Sequence, residues 1–237
     1  MIGLGTVINT LAILAGGVCG MIFGRFLKEG VQDSLCKACG VSTLFLGISG
    51  ALEGMLTVEG SRVTGGGAML IIGCIALGSL IGELLNLEEG MERFGSWLKR
   101  KTGNAKDARF VDAFVTASLT VCIGAMAIVG SIQDGIKGDY SILAAKAVLD
   151  FIIVMVMTCS MGWGCVFSAI PVAIFQGSIT ALAGFLKPLM TDAALGNLSM
   201  IGSILIFCVG VNLVWGKKLR VANMLPAVVL AVAAAFL

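Results

Sequence analysis

The sequence predicts an all-α polytopic membrane protein of about eight transmembrane helices, with both termini outside (N-out/C-out). Three observations predict it. Hydrophobic residues fill 58% of the 237 positions and charged residues 13%, at a mean hydropathy of +1.03; soluble domains carry roughly 25% charged residues. Apolar runs recur at about the 20-residue length that crosses a hydrocarbon core. Lys and Arg segregate between alternate loops, which orients the chain.

Charged or turn-rich breaks mark off the spans Leu4–Phe26, Gly40–Leu52, Ala68–Leu85, Phe110–Ile132, Ile142–Ser160, Cys165–Leu186, Leu198–Trp215 and Ala222–Leu237. The second is short, so it either begins nearer Ser34 or is partly re-entrant. Met1 to Gly5 carries no Lys or Arg, so the first span reads as a retained helix rather than a cleaved signal. With the N-terminus outside, loops near 25–38, 88–109, 160–165 and 216–222 hold twelve Lys and Arg, against four in the other loops (Arg62, Lys137, Lys146 and Lys187). That bias assigns the first set to the cytoplasm.

The chain reads as one transmembrane domain, 1–237. Residues 1–87 form a first helix triplet, 88–109 a cytoplasmic interfacial helix and linker, 110–160 a central hairpin, and 161–237 a second triplet. In the linker, Leu87, Met91, Phe94, Trp97 and Leu98 share one helical face with Lys99–Lys101 just beyond, the pattern of a helix lying on anionic lipid headgroups. Membrane lipid is therefore an expected partner and nucleic acid is not.

Two internal similarities stand out. "GISGALEG" and "VGSIQDG" each read as a small-residue helix closed by an acid and a glycine, Glu53-Gly54 and Asp134-Gly135. Each precedes a short polar loop and a return helix. "GRFLKEGVQDSL" resembles "AGFLKPLMTDAAL", aligning Phe26-Leu27-Lys28 with Phe185-Leu186-Lys187 and Asp33 with Asp192. The copies start an odd number of spans apart, the arrangement of inverted repeats in secondary transporters. A true repeat and a coincidence of biased composition both remain open at this level.

Ionisable groups inside spans are costly and functional by default. Lys146 and Asp150 lie four residues apart on one helical face, as a structural pair or as the lining of a solute path. Asp112 opens the fourth span, where the helix dipole favours an acid; Thr116 and Thr120 on its face would suit a cation or proton site. Glu83 follows Gly78 and Gly82, whose small-residue face would bury it in a tight contact. Asn9 and Asn212 are amides expected to bond between helices, or to touch a ligand.

The eight cysteines are mostly isolated small hydrophobes. Cys36-Lys37-Ala38-Cys39 is a single CxxC without a second ligand pair, so no metal and no cofactor is expected. The chain lacks His, nucleotide loops, nucleophile elbows and metalloprotease motifs, which argues against an enzyme.

The segments "MIGLGTVINTLAILAGGVCGMIFGRFL", "FLGISGAL", "GGGAMLIIGCIALGSLIGELLNLEEGMERFG", "CIGAMAIVGSIQDG" and "VANMLPAVVLA" together resemble the domain-of-unknown-function 554 family of bacterial inner-membrane proteins. The resemblance covers nearly the whole chain. It implies a multi-pass protein of the bacterial cytoplasmic membrane and supplies no substrate or site residue.

The expected function is a secondary transporter or channel-like permease for a small solute or ion. Its path would be lined by Glu53, Asp112, Asp134 and Asp150, with Asn9 and Asn212 as polar contacts. The rival is a non-transporting scaffold that forms homo-oligomers through Gly-rich helix faces.

Overall fold

The computed structural model describes residues 2–60, 62–103 and 107–236. In chain order these form α1 (Leu4–Gly24), α2 (Glu29–Met55), a hairpin of β1 (Leu56–Glu59) and β2 (Arg62–Gly65), α3 (Ala68–Leu85) and α4 (Leu87–Lys101). There follow α5 (Phe110–Cys122), α6 (Ala125–Lys137), α7 (Ser141–Met161), a 3-10 segment (Trp163–Ser168) leading into α8 (Ala169–Ala181), and the single turn α9 (Ala183–Leu186). The chain closes with α10 (Asp192–Trp215) and α11 (Pro226–Ala233).

Among the described residues six helices are long and apolar enough to cross a membrane: α1, α2, α3, α7, the Trp163–Ala181 segment and α10. The bent pair α5 and α6 makes a seventh if counted as one span, and the C-terminal Val221–Phe236 is shorter. The second span is longer than its apolar run suggested, because Glu29–Gly40 continues the same helix. The expected outer loop at 56–65 pairs into a two-stranded antiparallel hairpin, with the Thr57 and Thr64 hydroxyls 3.0 Å apart.

Three corrections concern the middle of the chain. The fourth span is two helices that meet at 62°, so 110–160 holds three helices rather than a simple hairpin. Asp134-Gly135 does not end a helix: α6 runs on to Lys137 and is closed by Gly138 in the left-handed region (φ 67°). Within α4, Met91 and Leu98 pack into the core and Gly95 sits against Phe114, so only part of the expected lipid-facing stripe stays outside. Its exposed portion is a Phe94–Trp97 stack with ring centroids 5.8 Å apart.

Glycine sets the helix pairing. A Cβ at Gly40, Gly47, Gly50 or Gly54 would strike Val214, Phe207, Ser203 or Met200 in turn, so α2 and α10 run antiparallel in close contact along their length. Gly78 against Ala227 and Gly82 against Asn223 bring α3 antiparallel to the C-terminal segment. Glu83 is not buried by that contact; it points outward to Arg220 at 2.6 Å. On α1, Gly16, Gly20 and Gly24 lie along α7, and Gly17 meets Val166 before α8. Small residues let backbones approach where lipid offers no hydrophobic drive for association.

The offset that carries Phe26-Leu27-Lys28 onto Phe185-Leu186-Lys187 also carries Leu4 onto Trp163, Asp33 onto Asp192 and Ala68 onto Ala227. Those positions lie at or near the starts of the paired elements: α1 with Trp163–Ala181, α2 with α10, and α3 with α11. Each of the three helices packs antiparallel against its own counterpart. The segment α4–α7 stands between the two triplets in the chain.

Candidate functional site

At the C-terminal end of α5 the last-turn carbonyls lose their helical partners, and this end carries the negative pole of the helix. Lys146 of α7 reaches that end: its Nζ donates to the Val121 carbonyl at 2.8 Å. The same ammonium donates to both oxygens of Asp150, at 2.7 and 2.6 Å. All three of its donors are thus used. Asn9 of α1 donates from Nδ2 to Asp150 Oδ2 at 3.0 Å. Asn9, Lys146 and Asp150 are 0%, 7% and 3% exposed, so the charges survive burial by pairing with each other and with a helix end.

The break beside them lies at Ile123–Gly124. Gly124 has φ 150° and ψ 146°, a conformation that side chains disfavour, and no side chain caps the N-terminus of α6. Discontinuous helices inside a membrane protein are tolerated only where protein or a hydrated cavity satisfies the freed backbone groups.

Asp134 is fully buried one helix away. Its carboxylate accepts from the Gly3 and Gly5 amides at 3.2 and 3.0 Å, where the N-terminal dipole of α1 stabilises an anion. Gly135 lets α6 touch the Thr180 carbonyl and Ala183.

A cleft of about 280 Å³ opens at the opposite end of the molecule. Its walls include Asp33, Arg109, Asp112, Ser160 and Lys217, drawn from all four regions that the charge bias assigned to the inner side. It follows α5 through Thr116 to Leu119, within one turn of Val121. Glu88 closes one wall: its carboxylate takes the Ala222 amide at 3.0 Å and Lys217 at 2.9 Å, while its own amide donates to Asn223 at 2.7 Å. Partial burial of Lys217 pulls its pKa down, but its pairs with Glu92 and Glu88 outweigh that and hold it above the ordinary lysine value.

The expected site residues therefore divide. Asn9 and Asp150 are brought together around Lys146, and Asp134 of α6 is buried against the start of α1, the helix that carries Asn9. Asp112 and Asn212 both line the cleft. Asn212 is occupied there, donating to the Leu219 carbonyl at 2.7 Å and accepting from the Lys218 and Leu219 amides at 2.8 and 2.9 Å. Glu53 is exposed on α2 and makes no hydrogen bond or ion pair with the others among the described residues. Glu53 and Asp134, expected to line one path, lie apart: Glu53 is exposed on α2, whereas Asp134 caps the start of α1.

Sequence reasoning passed over Gln176 and Thr180 of α8 and Thr6 of α1, all buried. The signal was there to find: "AIFQGSIT" holds a lone amide within an apolar span. It also passed over the helix break, whose one sign is Gly124 in "CIGAM".

Residues 4–236 match the family described as "Protein of unknown function (DUF554)". The chain belongs to this family. Among DUF554-type relatives, it is 29% identical over 226 residues to the "Uncharacterized membrane protein YdfK" of Bacillus subtilis, covering 95% of this chain and 93% of the relative. It is 30% identical over 232 residues to the "Uncharacterized protein YqgA" of Escherichia coli, covering 96% and 94%. No solved structure matches it. With its apolar helices, the chain is a multi-pass bacterial membrane protein.

Proposed function

We propose that this protein is a secondary permease for a small polar solute, with the Lys146–Asp150–Asn9 cluster at the α5–α6 break as the point where the path is closed. The observation that carries the reading is a buried charge pair bonded to a last-turn backbone carbonyl of a broken helix. Transporters build midplane sites in this way, from half-helix ends between inverted repeats. The antiparallel contact of each first-triplet helix with its counterpart supports the same reading. The cleft that approaches Val121 from the end rich in Lys and Arg supplies an entry from the cytoplasm.

The test is uptake of a panel of labelled small solutes into proteoliposomes. It uses the wild type and a Lys146→Met/Asp150→Leu double variant. Replacing a buried pair by apolar residues of similar volume leaves stability close to that of the wild type. Uptake by the wild type and none by the folded double variant supports the permease. Equal uptake by both removes the cluster from the path.

A further inference from the structure

Among the described residues neither amide atom of Gln176 has a hydrogen-bond partner, although the residue is fully buried. The Asn9 carbonyl oxygen and the Thr6 and Thr180 hydroxyls are also buried without partners. Each such group costs about 1–3 kcal/mol if nothing pairs it. Native proteins keep few of them, and each asks for an explanation.

These groups fall in one layer. Gly17 of α1 meets Val166, which fixes one end of the antiparallel contact between α1 and the Trp163–Ala181 segment. At the other end Thr180 touches Gly135, and the adjacent Asp134 holds Gly3 and Gly5. In that register Gln176, one turn before Thr180, lies level with the turn from Thr6 to Asn9. Asn9 in turn holds Asp150, so the layer of unpartnered atoms reaches the charge pair through Asn9.

We propose that Thr6, Asn9, Gln176 and Thr180, beside Lys146 and Asp150, form an occluded site for a small zwitterionic solute of the α-amino-acid class; this rests on the permease reading. Charge decides the class. Lys146 and Asp150 cancel, and Asp134 is already offset by the α1 amides, so a ligand with net charge would bury it uncompensated. A zwitterion adds none. The Asn9 and Gln176 oxygens and the threonine hydroxyls can accept from an ammonium next to the acid. The Gln176 amide N–H and the threonine hydroxyls can donate to a carboxylate next to the lysine.

The experiment measures melting temperature of the detergent-purified protein against glycine, alanine and serine, with sodium acetate, methylammonium chloride and glycerol as controls. A ligand that binds only the native state raises the midpoint with occupancy. The amino acids are expected to give a saturable rise, and the controls none. Gln176→Leu is expected to melt no lower than the wild type without ligand, since it deletes two unpartnered groups. Its half-saturating amino-acid concentration should rise at least tenfold. A rise from acetate, methylammonium or glycerol alone, no rise from any amino acid, or an amino-acid rise unchanged in Gln176→Leu overturns the site. A Gln176→Leu variant that melts well below the wild type overturns it as well, because it makes the amide a structural bond. Proteoliposome uptake of another solute that survives Gln176→Leu but not the Lys146/Asp150 double variant would leave the permease standing without this site.

Discussion

Between α2 and α10, glycines at 40, 47, 50 and 54 let two continuous helices touch along their length; between α5 and α6, the glycine at 124 ends one helix and starts another. The first region keeps every backbone bond inside its helices and gains only dispersion from close approach. The second frees backbone groups and meets one of them with Lys146. Rigid packing and a polar interior are thus assigned to different parts of one chain, and on the proposed permease reading the difference separates the frame from the part that opens.

Breaking the charge pair has the largest expected effect. Asp150→Ala leaves Lys146 buried with one carbonyl for company and costs about 3–5 kcal/mol, the range for removing one partner of a buried pair. A lowered melting temperature for Asp150→Ala, recovered in Lys146→Met/Asp150→Leu, checks it. Next comes the frame. Gly47→Ala pushes a methyl into the Phe207 backbone and costs about 1–3 kcal/mol, the usual price of overpacking. Thermal melting should show that loss with the cluster intact, whereas Gly124→Ala disturbs the break and leaves the α2–α10 contact alone.

Asp134→Asn is smaller. It keeps an acceptor for Gly3 and Gly5 but removes the charge facing the α1 dipole, worth about 0.3–2 kcal/mol. The smallest effect is at Asp139, whose carboxylate accepts from the Ser141 hydroxyl and amide at the start of α7; those bonds hold its pKa below the ordinary 3.8. A carboxyl with a depressed folded pKa contributes stability above its unfolded pKa and loses it as pH falls through the folded one. Asp139→Ala should therefore melt slightly below the wild type at neutral pH, and the two curves should converge in strong acid.

The membrane class, most span positions and the Lys146–Asp150 pair were legible because they depend on local composition and i,i+4 spacing. The break at Gly124 was not, since a lone glycine in an apolar run is equally at home in a packed helix, as Gly47 shows. Asp134 misled because Asp-Gly is a common helix ending, and only the tertiary contact with α1 reveals a helix cap made from another segment. Glu53 looked equivalent to Asp134 in sequence, yet it is exposed and makes no hydrogen bond or ion pair among the described residues. Gln176 was overlooked because its meaning comes from the lack of partners in three dimensions, which no spacing encodes.

The most direct test of the break as a hydrated, openable element is amide hydrogen exchange of the protein in lipid nanodiscs. Exchange at Gly124–Met126 should be orders of magnitude faster than at 43–50 of α2, whose amides sit inside a continuous helix packed on α10. Equal, strong protection of the two segments would contradict the account and leave α5–α6 as a kinked but closed span.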